Sequence, residues 1–200
     1  MILDAVIYDI EIEKCIPDRR VPPEPDLRYC QGWDDHANMG IAVLCAYDTR
    51  DSRYRVFLKD NLDRFAALIQ GRLVVGFNTH GFDNQLLDAN GIQVLQDRSW
   101  DLLCALRKAC GEPETYTRGV TAAGRTLDAL AACNLGASKT GHGELAPVNW
   151  QRGKWGTVID YCLADVNLTV RLCERLPLLQ DPVTRRLVTL ELPAFAPVIA

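Results

Sequence analysis

The sequence predicts an α/β domain with a mixed central β-sheet and helices on its faces. Three observations predict it. A β-rich apolar segment opens the chain, a strand–turn–strand pair follows, and from residue 61 onward short apolar strands alternate with helical periodicity. The chain has 200 residues, 48% of them hydrophobic and 24% charged. A domain of this length withdraws roughly 70% of its unfolded surface from water, enough for a true core. Residues 1–200 therefore read as one domain.

Each element follows from its local pattern. Residues 3–12, rich in Val, Ile and Tyr, read as a central strand because both alternating faces carry apolar side chains. Residues 17–38 contain Pro17, Pro22, Pro23 and Pro25 among charges and read as a long loop. Loops of that length inside a compact domain are commonly functional. Residues 39–47 and 53–58 read as strands joined by a turn at 48–52, a hairpin. Residues 61–70 suit a helix stopped by Gly71, 73–77 a short strand, and 82–90 a helix followed by Gly91. Residues 101–110 and 126–135 are helical by pattern. Residues 157–176 form the longest helical stretch, with Ile159, Leu163, Val166, Val170 and Leu172–Cys173 at helical spacing. Residues 186–192 alternate and favour a strand, with Asp181-Pro182 as a competing helix start.

Composition narrows the function classes. The net charge of −4 runs against the basic footprint usual for nucleic-acid binders. Two bound divalent cations would cancel that excess. The eight cysteines, at 15, 30, 45, 104, 110, 133, 162 and 173, form no CxxC pair, and with three histidines they leave no zinc pattern. Cys45, Cys104, Cys133, Cys162 and Cys173 lie in apolar periodic contexts and are expected as buried free thiols in a reducing, cytoplasmic setting. The first residues, MILDAVIYDIEIEK, are expected to be neither a signal peptide nor a membrane span.

Three acidic motifs stand out. Asp9 and Glu11 are two apart on an apolar strand and so share a face, where burial demands either protonation or a cation. Glu13 continues that face, which also allows a plain solvent-exposed edge. In GFNTHGFDNQLL (76–87), Asp83 opens a helix, a position that also suits Asp through the helix dipole. In YCLAD (161–165), Tyr161 and Asp165 are one helical turn apart. Together these acids come from a first strand, a strand-to-helix junction and a late helix. Phosphodiester hydrolysis with two metals needs such a convergence, on ions about 3.5–4 Å apart.

DIE at 9–11, FNTHGFD at 77–83 and YCLAD at 161–165 resemble, in order, the three motifs of DEDD-type 3′–5′ exonucleases, the last in its tyrosine form (DEDDy). The chain is similar to predicted exonucleases related to the proofreading domain of family B DNA polymerases. LGASKTG at 135–141 also resembles a stretch that often precedes the third motif. The resemblance covers about residues 3–176 and leaves the loop at 15–38 and the tail at 177–200 unmatched. It implies an RNase H-like fold and a two-metal 3′–5′ exonuclease acting on the 3′ end of single-stranded DNA or RNA, DNA favoured, and releasing nucleoside monophosphates. Asp9, Glu11, Asp83 and Asp165 would hold two Mg²⁺ or Mn²⁺ ions, with Asp9 between them, and Tyr161 would orient the attacking water. Asn78, Phe82 and Lys139 are candidate substrate contacts, as is Lys154 at a lower rank. Trp33, Trp150, Trp155 and Tyr116 lie in loop-like contexts where aromatics either stack on bases or pack. Asp101 reads as a helix cap, with a fifth acid near the metals as the alternative. The alternative is a nucleic-acid-binding or assembly module with the same fold and little turnover.

Overall fold

The structure, a computed structural model, describes residues 4–18, 20–139, 141, 143–191 and 193. His142, Leu3 and Leu192 lie outside it, as does the end of the chain from residue 194. In chain order the elements are β1 (Ala5–Ile12), α1 (His36–Met39), β2 (Ile41–Asp48), β3 (Arg53–Phe57), α2 (Leu62–Leu68), β4 (Leu73–Gly76), α3 (Asp83–Ala89), β5 (Ser99–Asp101), α4 (Leu102–Ala109), α5 (Leu127–Leu135), α6 (Ala146–Gln151), α7 (Trp155–Cys173), β6 (Leu178–Gln180) and β7 (Leu187–Thr189).

The five-stranded sheet has the order β3-β2-β1-β4-β5. β1 pairs antiparallel with β2 and parallel with β4, so the expected mixed sheet is present. Alternation divides its centre between two cores. Ala5 and Ile7 face α4, α5 and α7, whereas Val6, Tyr8, Ile10 and Ile12 face α2 and α3. Helices therefore cover both faces, and the central strand is apolar on each, as its sequence predicts.

Two details of the sheet position the site. Pairing of β1 with β4 ends at Ile7↔Val75, so the second half of β1 runs on without that neighbour. At Gly76, the end of β4, no side chain fits: a Cβ would overlap the Thr79 methyl and stand 3.0 Å from the Tyr8 carbonyl. A bulge then falls between Glu11 and Ile12, which ends the alternation. Glu13 leaves the strand and pairs with Arg28 at 2.5 Å, so it does not extend the face of Asp9 and Glu11.

Other expectations need adjustment. The long helix runs from Trp155 to Cys173 rather than over 157–176, and its last residues turn into β6, which pairs with β7 as a hairpin. The 17–38 loop ends in the short helix α1. Trp150 belongs to α6 and Trp155 begins α7, so neither sits in a loop. Cys45, Cys162 and Cys173 are buried, but Cys104 and Cys133 are only half-buried. Among the described residues, no helix is long and apolar enough to cross a membrane.

The hairpin is fastened by a buried charge cluster. Asp181 accepts from Arg125 Nε at 2.8 Å and Nη2 at 3.0 Å, and from Thr184 Oγ1 at 2.7 Å, while Arg125 Nη1 reaches Glu112 at 2.8 Å. Burial raises the Asp181 pKa, but the hydrogen bonds from Arg125 and Thr184 outweigh it and bring it down to about 2. A carboxyl depressed in the folded state contributes stability above its unfolded pKa and loses it as pH falls through the folded value. Asp181→Asn is expected to cost about 3 kcal/mol at neutral pH, because Arg125 loses its main partner. Urea unfolding of both proteins at neutral pH and near pH 2.5 checks this: the gap should narrow on acidification by about 2 kcal/mol.

Candidate metal centre

Asp9 and Glu11 fall on the odd-numbered, α7-facing side of β1, just where β4 no longer flanks it. α7 crosses this face and presents Tyr161 and Asp165 one turn apart, both buried. Carboxylate oxygens of Asp9, Glu11 and Asp165 lie within 4.8 Å of one another. Glu11 and Asp165 are buried and Asp9 is half-buried, so the acids are not a solvated strand edge.

Asp83 approaches from the opposite layer. It is the first residue of α3 and is buried. The Asp9 charge acts on it, and the backbone N–H of Ile10, on the part of β1 beyond β4, favours its charged form. Its oxygens stand outside the compact group of three. The four acids thus arrive from β1, α3 and α7 around one end of the sheet.

Lys139, a candidate substrate contact, reaches into this group. Its ammonium donates to Asp165 Oδ2 and, at 3.0 Å, to Tyr161 Oη. Asp128, in the first turn of α5, accepts the Lys139 backbone N–H at 2.7 Å and so fixes the loop that carries it. Gly141 lies against the Tyr161 ring: a Cβ there would come within 3.1 Å of Cδ2. Nothing in the sequence marks Asp128 as more than a helix-start acid, so its part in the site is visible only from the fold.

The turn between β4 and α3 is held by Asp101. Its carboxylate caps α4 through the N–H groups of Leu103 and Cys104 and reaches back to those of Asn78, at 3.0 Å, and His80, at 2.9 Å. The cap reading is thus correct and extends to aligning Asp83. His80, Asp101 and Cys104 also form a compact group of possible ligands. Asp101 already accepts four backbone N–H bonds there, which suits a structural role. Asn78 is exposed in the left-handed region at φ 66, a turn position. Phe82 is half-buried in front of Asp83, and Lys154 is exposed before α7.

The electrostatics follow from burying like charges. Burial, and then the neighbouring Asp165 charge, raise the Asp9 pKa to about 7. Glu11 is pushed well above the usual range by burial and then by Asp9 and Asp165. Asp83 is pushed up by burial and by Asp9. Burial also raises Asp165, against the pull of Lys139. Burial opposes the Lys139 charge, but Asp165 outweighs it and holds the ammonium protonated. Tyr161 is raised by burial, so its phenol keeps its proton near neutral pH.

The donor set fits a hard divalent cation. Asp9 Oδ2 and Asp165 Oδ1 are buried and make no hydrogen bond among the described residues. Orphaned carboxylate oxygens side by side are what an oxygen-seeking ion such as Mg²⁺ or Mn²⁺ would satisfy. Compared with models of known protein families and with curated proteins, the chain matches none.

An acid whose folded pKa is raised destabilises the fold progressively as pH climbs from about 4 through that raised value. Asp9→Asn should therefore raise the melting temperature of the metal-free protein at pH 8, by roughly 4–8 °C for about 2 kcal/mol relieved. The same change should remove most of the stabilisation that Mn²⁺ gives the unaltered protein. Thermal melts in EDTA and in Mn²⁺ test both statements; a drop in the EDTA melt for D9N would refute the first.

Proposed function

We propose that this protein is an RNase H-like, metal-dependent 3′–5′ exonuclease that hydrolyses phosphodiester bonds at the 3′ end of single-stranded nucleic acid, DNA favoured. The observation that carries the reading is the meeting of Asp9, Glu11 and Asp165 with unsatisfied carboxylate oxygens, next to Tyr161 and Lys139. The sheet order, with β1 between an antiparallel and a parallel neighbour, is compatible with the RNase H-like fold.

In this reading Asp9, Glu11 and Asp165 would hold one divalent ion, and Asp83 with Asp9 would support a second. Bound there, the ions would supply a water of lowered pKa and offset charge on the leaving 3′ oxygen. The chain's own groups do the rest. Tyr161 keeps its proton and orients the attacking water by donating its O–H, so it is not the base. Lys139 stays charged and is close enough to Asp165 to exchange that partner for a phosphate oxygen. Asn78 and Phe82, which border Asp83 in the turn, flank the terminal nucleotide.

The ammonium of Lys139 against Asp165 also favours a second reading, a nucleic-acid-binding or assembly module of the same fold with little turnover, because the acids then carry their own counter-ion. Digestion of 5′-labelled single-stranded DNA separates the two. The exonuclease reading expects a ladder shortening from the 3′ end in Mg²⁺ or Mn²⁺, stopped by EDTA, and lost by several orders of magnitude in Asp9→Ala. Tyr161→Phe should retain metal binding and lose about 10²–10³ in rate, the usual cost of one oriented donor. No cleavage together with no calorimetric Mn²⁺ binding would establish the second reading instead.

A further inference from the structure

The loop between β1 and β2 is where this chain departs from the motifs that carry the exonuclease reading, and it is built onto the same end of the sheet as the acids. It leaves β1 after Ile12, one residue past Glu11. Its base is closed by backbone bonds from Glu13 N to Gly40 O, at 3.1 Å, and from Lys14 N to Met39 O, at 2.9 Å. Further out, Cys15 N donates to Arg28 O and Cys30 N returns to Cys15 O, each at 3.0 Å. Gln151 of α6 braces the segment through Arg28 N at 2.7 Å and the Glu13 carbonyl at 3.1 Å. These bonds tie the base of the loop to the end of β1 that carries Glu11 and to α6.

Its crown presents an aromatic ring. Asp35 Oδ2 accepts the Gln31 N–H at 2.7 Å, and Asp35 N returns to Gly32 O at 3.2 Å, closing a turn over residues 31–35. Trp33 stands in the middle of that turn with 68% of its surface exposed. A Trp on a hydrogen-bonded turn would normally fold back onto apolar surface, yet this one stays largely exposed. Its ring meets Phe82 in a T-shaped contact with centroids 6.1 Å apart, and His36 meets the same Phe82 at 5.6 Å. Phe82 immediately precedes Asp83. A broad, preordered π-face is thus placed one ring away from the residue that brings the fourth acid to the group.

We propose that Trp33 is a substrate-positioning residue: it stacks on the base of an unpaired nucleotide near the 3′ end and makes the site selective for single strands. Stacking on an exposed aromatic is tolerant of sequence because every base has a π-face, and a paired base has that face covered by its neighbours. The net charge of −4 gives the chain little general attraction for phosphates, so stacking carries a larger share of the affinity here than it would in a basic protein. The proposal rests on the exonuclease reading.

The test uses the full chain and an oligodeoxynucleotide of about ten residues. Binding is followed by fluorescence anisotropy in EDTA, so that no turnover is needed, and cleavage is followed in Mn²⁺. Trp33→Ala should weaken binding about tenfold, and Trp33→Phe should recover most of that loss. In cleavage KM should rise by a similar factor while kcat falls far less. Abasic residues placed one at a time near the 3′ end should weaken binding to the unaltered protein at one position, and the loss at that position should vanish in Trp33→Ala. Equal melting temperatures would show that both variants fold. If the unaltered protein cleaves while Trp33→Ala binds and cleaves identically, the role of Trp33 is overturned and the exonuclease reading stands. If the unaltered protein neither binds nor cleaves the strand, both are overturned.

Discussion

The constraint on which the rest of the structure depends is the burial of like charges at the free half of β1. Asp9 and Glu11 occupy positions on a central strand that hydrophobic residues would otherwise fill, and α7 lays Asp165 across them. Such an arrangement opposes folding unless the strand and helix are fixed by interactions elsewhere. They are: Ala5 and Ile7 on the same face of β1 pack with Val158, Cys162 and Val166 of α7, and the opposite face of β1 is sealed by α2 and α3. Apolar burial on both sides of one strand thus holds acids together that would separate if free to do so.

The surrounding polar groups serve the same end. Asp101 joins the start of α4 to the turn that precedes α3, so the helix carrying Asp83 is set by a carboxylate that itself stays outside the site. Asp128 does the equivalent for Lys139. Tyr8, whose hydroxyl donates to Asn84, and Asn84, which reaches Ser99 at 3.0 Å, bind the sheet to α3 beneath the acids. Position in each case is fixed by a hydrogen-bonded group, and among the described residues the buried carboxylate oxygens without a partner are those of Asp9 and Asp165.

Much of this was legible in the sequence, for physical reasons that differ by element. β1, β2 and the hairpin to β3 were readable because strand patterning is strong where a strand is apolar on both faces. α7 was readable from its spacing, and the short β4 from its apolar run before a turn. The candidate acids could be picked out because acids on an apolar strand violate the local pattern, and violations of pattern concentrate at functional sites. β6 was not readable, because three residues are too few to carry a strand pattern, and the Arg125–Asp181 cluster that fastens the hairpin joins residues far apart in sequence. Lys139 was noticed in the sequence, yet its contact with Asp165 depends on a loop whose course is fixed by a distant helix. The bulge that separates Glu13 from Glu11 has no sequence signal at all.

The acid group joins Asp165 of α7 to the first strand of the chain, with every other strand of the main sheet lying between them in sequence. During synthesis the β1–β2–β3 hairpin and the β4–α3 unit emerge and can pair early, since domains fold as their parts become available. Asp165 and Tyr161 emerge only after all of these. An incomplete chain that stops before α7 therefore lacks the residues that close the group, and whatever chemistry the acids support is withheld from unfinished copies until the scaffold that confines it is in place.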